Sequence, residues 1–142
     1  MDIIRRNTDY ALRAAVELAG RFGLGPVPTK DIAEHQNIPY QLACKLLQRL
    51  HKAGIVKSEM GPAGGFVLYA APSRITVLDV VEAIQGPVRL SRCLFAKNFC
   101  RLSRCCSINP ELGLLQKKIN SFLEGLTLKR LSASNGHKRR RK

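Results

Sequence analysis

The stretch TKDIAEHQNIPYQLACKLLQRLHK, residues 29–52, contains two short helical patterns joined by a tight turn. The first pattern runs from Thr29 to Gln36, and Asn37 suits the left-handed position that ends a helix. The second starts at Pro39 and repeats apolar residues at helical spacing, namely Ala43, Leu46, Leu47 and Leu50. Its opposite face is polar and basic. The pair predicts a helix-turn-helix, although the solvated face of any helical domain looks similar.

A glycine-rich hairpin follows this pair of helices. Ile55–Met60 and Phe66–Ala70 are predicted as short strands around the turn Gly61–Gly65. A hairpin directly after a recognition helix is the wing of a winged helix, and its glycines allow backbone amides to approach phosphates. A nucleotide-binding loop is disfavoured, because no Lys-Ser/Thr pair opens a helix after the glycines. The sequence therefore predicts a mainly α fold with a winged helix-turn-helix head and a small β-hairpin wing.

Further helical patterns flank this head. One precedes it, and another starts at the capping box Thr76-x-x-Asp79 and ends before Pro87. A last helix starts at Asn109-Pro110-Glu111 and has apolar residues three and four apart, namely Leu112, Leu115, Ile119, Phe122 and Leu126. We expect this long C-terminal helix to dimerise the protein, the alternative being a helix buried against its own domain. After residue 131 we expect a disordered basic tail.

The segment Arg89–Pro110, RLSRCLFAKNFCRLSRCCSINP, lacks hydrophobic periodicity and is expected to be a loop. It has five basic residues, no acidic residue and four of the five cysteines, namely Cys93, Cys100, Cys105 and Cys106. Neighbouring cations lower the pKa of a thiol and favour its thiolate. Three or four thiolates at this spacing could hold an iron–sulfur cluster or a zinc ion. We therefore expect this loop to be a sensor, and the rest of the chain to respond to the state of the loop.

The composition is strongly basic. The formal net charge is +14 and the pI about 10.2, which favours nucleic acid first and an anionic membrane surface second. Seven of the 24 basic residues follow Leu128, yet the rest still has 17 basic against 10 acidic residues. No run approaches the ~20 apolar residues of a membrane span, and the first twenty residues lack the apolar region of a signal peptide. We expect a cytoplasmic protein, in which clustered cysteines are more often ligands or redox thiols than disulfides.

The order of these features resembles the IscR/NsrR group of bacterial winged-helix transcription regulators, the Rrf2 family. The segments that carry the resemblance are TDYALRA (8–14), PVPTKDIAEHQNIP (26–39), LLQRLHKAGIV (46–56), GPAGGF (61–66), VLDVVEAIQG (77–86), the cysteine loop and FLEGLTLKRL (122–131). The resemblance implies a homodimer with a DNA-binding head at 1–86, a cysteine-rich cluster-binding loop at 87–108 and a dimerisation helix at 109–131, ahead of the tail at 132–142.

The resemblance also implies ligands for a [2Fe-2S] or [4Fe-4S] cluster. They are Cys93, Cys100 and Cys106, with Cys105 as an alternative to Cys106. One branch of the family adds a histidine at the position of Asn109, whereas the nitric-oxide sensors use an acid that matches Asp9 of the partner subunit. An acid in the first turn of a helix also has a purely structural explanation, because it complements the helix dipole.

The same resemblance implies contacts to double-stranded operator DNA. They are expected from the recognition helix, the helix before it and the wing, namely Thr29, Lys30, Tyr40, Gln41, Cys44, Lys45, Gln48, Gly61, Pro62 and Gly64. Many relatives carry arginine before the wing Gly-Pro, where this chain has Met60, so a minor-groove arginine contact is expected to be missing.

The predicted function is a DNA-binding transcription regulator, a repressor, whose cluster senses nitric oxide, redox state or iron status. The alternatives are a zinc-bound nucleic-acid-binding protein without sensing and a thiol-based redox regulator without metal. No enzyme activity, small-molecule substrate or membrane partner is expected. The three histidines, His35, His51 and His137, lie outside the cysteine loop, so none is placed beside its thiols as a catalytic base.

Overall fold

Six α-helices and a two-stranded antiparallel hairpin make up residues 2–139, the part of the chain that this computed structural model describes. The helices are α1 Arg6–Gly20, α2 Thr29–Gln36, α3 Tyr40–Lys52, α4 Val77–Gln85, α5 Ile108–Gly125 and α6 Leu128–Arg139. The strands are β1 Val56–Glu59 and β2 Gly65–Leu68, and 3-10 turns lie at Pro72–Arg74 and Arg92–Leu94. The mainly α fold with a small hairpin is the one that the sequence predicts.

The helix-turn-helix forms because the apolar side of α3 enters a core shared with α1 and α2. Ala43, Leu46, Leu47 and Leu50 are each at most 2% exposed. Burying one large apolar side chain contributes about 1.5–3 kcal/mol. Asn37 ends α2 with φ 52° and ψ 51°, a left-handed conformation that asparagine tolerates. The predicted tight turn is confirmed, although Pro39 directly precedes α3 and does not occupy its first position.

The wing is anchored to the segment before α2. Strand β1 pairs with β2 in the register Val56↔Leu68, Lys57↔Val67, Ser58↔Phe66 and Glu59↔Gly65. Val27 extends the sheet, because its amide donates to the Phe66 carbonyl at 3.0 Å and its carbonyl accepts from the Phe66 amide at 2.9 Å. A Cβ at Gly65 would lie 2.2 Å from the Val27 carbonyl oxygen, so this close approach requires glycine. The wing therefore has a fixed position on the head.

The C-terminal region does not form the single helix predicted for 109–131. Helix α5 ends at Gly125, Leu126 is extended, and Thr127 pairs with Thr76 before α6 begins. The break occurs because Leu128 is fully buried in the head core, which a straight continuation of α5 would not allow. Two backbone bonds fix the crossing: the Val77 amide donates to the Leu126 carbonyl at 2.8 Å, and the Leu128 amide donates to the Ile75 carbonyl at 2.9 Å.

The predicted disordered tail at 132–142 is also corrected over the described residues. Helix α6 continues to Arg139, and residues 140–142 lie outside the described residues. Leu128 and Leu131 anchor its first turn in the head core, and a helix extends readily once its first turn has formed. The Ser132 hydroxyl also donates to the Lys129 carbonyl at 3.0 Å.

Helix α5 divides its predicted apolar seam between two sides. Ile119 and Leu126, together with Leu123, pack against α4 and Val88. Leu115 and Phe122 are instead 46% and 66% exposed. The seam is therefore partly an intramolecular contact and partly an open apolar face. Within residues 2–139, no helix has both the length and the hydropathy to cross a lipid bilayer.

Candidate DNA interface and cysteine loop

The outer side of α3 carries the polar side chains expected of a recognition helix. Gln41, Lys45, Gln48 and Arg49 are exposed, and Cys44 is half-buried among them. Amide side chains can pair with base edges, and amines and guanidinium groups can contact phosphates. From α2, the exposed Lys30 lines a cleft of about 530 Å³ together with Tyr40. The structure thus places the predicted residues of α2 and α3 side by side, with Thr29 half-buried at the start of α2.

Tyr40 and Cys44 lie one turn apart on α3. A hydrogen bond with the Cys44 side chain raises the pKa of Tyr40 above its ordinary 10.0, and negative charge on that thiol acts in the same direction. A tyrosine with the ordinary pKa is already protonated at neutral pH, and the raised pKa moves Tyr40 further from ionisation, so its phenol remains a hydrogen-bond donor. Cys44 is thus a neighbour of the exposed Tyr40, one of the predicted DNA contacts.

The wing turn is tightly closed and carries no charged side chain between residues 60 and 65. Gly61 and Pro62 are exposed, and Met60 before them is 95% exposed. The Gly64 amide donates to the Gly61 carbonyl at 2.9 Å, and a Cβ at Gly64 would lie 2.4 Å from the Glu59 carbonyl oxygen. The turn thus exposes backbone and the apolar Met60 side chain. An arginine at position 60 would place a positive charge there.

Basic side chains also meet at the start of α1. Arg5 and Arg6 line a cleft of about 670 Å³ with Arg49 from the end of α3. Glu82 is the acidic residue among the lining side chains, so positive charge dominates the cleft. This cleft extends the basic surface of the head and favours a polyanion.

The cysteine segment is a loop, as predicted, with one short 3-10 turn at Arg92–Leu94. The five cysteines of the chain, all within the described residues, carry free thiols. Cys93, Cys100 and Cys106 are half-buried, whereas Cys105 is exposed. Cys105 and Cys106, which their spacing in the sequence does not distinguish, therefore differ in burial.

Local contacts hold parts of this loop. The Cys93 Sγ lies 3.1 Å from the Ser91 Oγ, and the Asn109 Nδ2 donates to the Cys93 carbonyl at 3.5 Å. Asn109 lies inside α5 and is not its N-cap, which is Ser107. The Arg89 guanidinium stacks over the Phe95 ring at 4.9 Å from its centroid. The remaining cations of the loop, Arg92, Lys97, Arg101 and Arg104, are exposed.

The candidate metal ligands are not gathered around a common point. Among the side chains that the structure describes, no three His, Cys, Asp or Glu residues are arranged to hold a metal ion. Asp9 lies on α1, where its Oδ2 pairs with the Arg13 Nε at 3.3 Å. In the single chain, the candidate thiol ligands therefore lie in the cysteine loop, whereas the candidate carboxylate of Asp9 lies on α1.

Two glutamines near the loop were not singled out from the sequence. Gln116 on α5 is 6% exposed and bonds to the backbone of Val88 and Leu90. Gln85 ends α4 and bonds to residues at the start of α1. One sequence signal existed for Gln116: it lies on the inner face of α5, in line with Leu112 and Leu123, where an apolar residue is expected.

The head histidines have structural contacts. His35 Nδ1 lies 2.5 Å from Oε1 of Glu17, a buried carboxylate that also accepts from the Gln36 Nε2 at 2.9 Å. His51 Nδ1 lies 3.2 Å from the Val56 carbonyl oxygen. Both histidines are exposed, as predicted, and the side chain of His137 lies outside the described residues.

Comparison with known proteins agrees with this architecture. The profile of the Rrf2 family, described as an iron-dependent transcriptional regulator, matches residues 4–134. The chain belongs to the Rrf2 family. This Rrf2 protein is 35% identical over 126 residues to the HTH-type transcriptional regulator IscR of Aliivibrio salmonicida, covering 89% of this chain and 74% of the relative.

Two solved structures share its fold. CymR, the global cysteine regulator of B. subtilis, has a TM-score of 0.78 and 27% identity, with 94% of this chain and 98% of CymR covered. IscR of T. potens has a TM-score of 0.74 and 28% identity, with 93% of this chain and 87% of that IscR covered. The Rrf2 protein is thus a winged-helix transcription regulator that binds DNA.

Proposed function

We propose that this Rrf2 protein is a homodimeric repressor whose affinity for operator DNA is set by an iron–sulfur cluster in its cysteine loop. The observation that carries the proposal is the set of three half-buried thiols, Cys93, Cys100 and Cys106, in a cationic loop behind a DNA-reading head. The similarity to proteins named IscR supports it. Because such a protein acts on operator DNA, we place it in the bacterial cytoplasm.

The donor set fits the proposed cofactor. Thiolates are the usual ligands of iron–sulfur clusters. When bound, the cluster would supply a centre that reacts with nitric oxide or oxidants. The thiols are not gathered in the single chain, so the loop has to close to bring them together. The loop would therefore close only when a cluster is bound, and a sensor requires such a difference between its bound and unbound forms.

Asp9 of the partner subunit is the proposed fourth ligand. The Asp9 side chain is 59% exposed on α1, so it is accessible to a second subunit. A carboxylate oxygen is a hard and comparatively labile ligand for iron otherwise held by sulfur. Arg13 would pair with Asp9 whenever the carboxylate is released, as it does in the single chain.

The open face of α5 is the proposed dimer contact. Ile108, Leu115 and Phe122 are 63%, 46% and 66% exposed, and their spacing of seven places them along one line of the helix. A partner α5 would cover these side chains. The dimer would then present two α3 helices to major grooves one turn apart, about 34 Å. A coupling of about 1–3 kcal/mol between loop closure and head spacing would change operator affinity five- to 150-fold.

The deciding experiment is purification without oxygen, followed by an absorbance spectrum and by iron and sulfide analysis. We expect visible absorption that disappears on adding nitric oxide and in a Cys93→Ala, Cys100→Ala variant. Operator affinity would be measured on a duplex selected by the protein from a randomised library. Colourless, iron-free protein that still binds its operator tightly would contradict the proposal, and stoichiometric zinc would favour the zinc-bound alternative.

A second candidate is a thiol switch without metal, favoured by the exposed Cys105 beside Cys106. The fold shared with CymR, a global cysteine regulator, supports this candidate. Two thiols would lose two protons and two electrons to one hydrogen peroxide, whose O–O bond breaks to give two water molecules while one disulfide forms. Mass mapping of peroxide-treated, metal-free protein would identify that disulfide, and a Cys105→Ser variant would abolish or redirect it. Unchanged operator affinity after disulfide formation would exclude this candidate.

A further inference from the structure

We infer that Gln85 and Gln116 are positioning residues that connect the cysteine loop to the head through the segment 85–90, here called the linker. The inference rests on the proposed function, because it names the route by which the loop controls DNA binding. The linker leads directly from the end of α4 to the cysteine loop. Each end of it is held by a glutamine amide, one toward α1 and one toward α5.

Gln116 holds the second half of the linker as a neighbouring β-strand would. Its Nε2 donates to the Val88 carbonyl at 2.8 Å, and its Oε1 accepts from the Leu90 amide at 2.9 Å. The same Nε2 donates to the Asn120 Oδ1 at 3.1 Å, which fixes the orientation of the amide. Because Gln116 is 6% exposed, these bonds are shielded from competing water.

Gln85 holds the first half of the linker to α1. Its Oε1 accepts from the Arg5 amide at 3.0 Å and from the Thr8 Oγ1 at 2.7 Å. Its Nε2 donates to the Ile3 carbonyl at 2.8 Å. The Gln85 side chain thus bonds both to the residues before α1 and to its first turn. One of these partners, Thr8, directly precedes the proposed ligand Asp9.

The linker also connects with the first cysteine of the loop. Cys93 follows Leu90 by three residues, and its carbonyl accepts from the Asn109 Nδ2 of α5 at 3.5 Å. Helix α5 therefore contacts the backbone on both sides of Ser91, through Gln116 and Asn109. Movement of Cys93 must either carry α5 and the linker with it or break these bonds.

Packing alone does not require an amide at position 116. Val88 lies in an apolar cluster with Val77 and Val81, which Ile119 and Leu123 of α5 also join. A methionine at position 116 would fill similar space there, but it would leave the Val88 carbonyl and the Leu90 amide without these partners. What the amide adds is a directional connection between the linker and α5.

The first test uses reduced, metal-free protein and compares Gln116→Met with the neighbouring exposed control Lys117→Met. Iodoacetamide labelling of Cys93 and Cys44 is followed by mass spectrometry, with and without the operator duplex selected from the randomised library. Cys44 lies on the α3 surface and reports DNA occupancy. We expect bound DNA to change the Cys93 rate at least fivefold in wild type and Lys117→Met, and less than about twofold in Gln116→Met.

Gln85→Met provides an independent second variant with the same expected result. A DNA response of Cys93 that is equal in wild type and both glutamine variants would overturn the inference, as would its absence in wild type. Failure of both variants to fold, judged by thermal unfolding, would also overturn it, since the amides would then be purely structural. Because the protein in this test contains no metal, its result does not depend on whether the protein binds an iron–sulfur cluster.

The second test uses anaerobically prepared, cluster-loaded protein. Both glutamine variants should take up iron as wild type does, by absorbance and iron content. Their operator affinity should then differ by less than about twofold between the loaded and cluster-free forms, against five- to 150-fold in wild type. Variants that retain the full difference would contradict the inference, even where the proposed function holds.

Discussion

The head and the cysteine loop of this Rrf2 protein differ in what determines their structure. In the head, the inner side of α3 is at most 2% exposed, and the wing is fixed by backbone bonds to Val27. In the loop, three cysteines are only half-buried and five cations surround them. The head therefore has an apolar core of its own. The loop is irregular and has no such core, and we propose that a bound cluster closes it.

This difference can be tested through stability, since substitutions should lower the free energy of unfolding much more in the head than in the loop. The largest effect is expected for Leu47→Ala in α3. Leu47 is fully buried, so truncation leaves a cavity and should lower the free energy of unfolding by about 2–5 kcal/mol. Denaturant titration of the metal-free protein measures it. The exposed neighbour Gln48→Ala should change it by less than about 0.5 kcal/mol, and equal losses would refute the assignment of α3 faces.

A smaller loss is expected for Gly65→Ala in the wing. The added Cβ would lie 2.2 Å from the Val27 carbonyl oxygen, so the wing has to shift, at about 1–3 kcal/mol. Operator affinity should fall as well, because the wing moves relative to α3. Gly20→Ala at the end of α1 is the control, since a Cβ there meets nothing within 4 Å. A stable Gly65→Ala protein with normal DNA binding would show that the wing position is not fixed.

A loss of about 1 kcal/mol is expected for Thr76→Ala. The Thr76 Oγ1 accepts from the Asp79 amide at 3.1 Å, and the Thr76 amide donates to the Asp79 Oδ2 at 2.9 Å. The substitution removes the first of these bonds, and thermal unfolding measures the result. Thr76→Ser keeps the hydroxyl and should restore most of the stability. If serine were as damaging as alanine, the capping bond would not be the cause.

The smallest effect is expected for the pair Cys93→Ser and Cys100→Ser in metal-free protein. Both side chains are half-buried in irregular structure, so the free energy of unfolding should change by less than about 0.5 kcal/mol. The same pair should abolish iron uptake. Comparison of unfolding curves before and after anaerobic reconstitution separates the two effects. A large loss in the metal-free form would mean that the loop has a core of its own.

Much of the head could be predicted because its pattern is local. The apolar spacing of α3, the left-handed Asn37, the hairpin and the Thr76–Asp79 capping box each follow from a few neighbouring residues. These features are confirmed. The position of the cysteine loop was predictable for the opposite reason, since it lacks any periodic pattern.

What could not be predicted depends on contacts between distant segments. The start of α1 is one example, because the amide of Arg5, directly before the helix, donates to the Gln85 side chain about 80 residues later in the chain. The break at Leu126 depends on the burial of Leu128 beside α1. The role of Gln116 depends on a backbone segment that has no pattern of its own. Local sequence rules do not describe such long-range pairings.

The crossing at Thr76 and Thr127 has a consequence for how the protein can move. Helix α5 is held near its beginning by the Asn109 bond to the Cys93 carbonyl, in its middle by Gln116, and at its end by the pairing that leads into α6. A helix held at both ends cannot rotate outward about one of them. A roll of α5 about its long axis would break the Gln116 bonds to Val88 and Leu90, so α5 is expected to move together with the linker. If the loop closes as proposed, the linker and α5 would then be displaced together within each protomer.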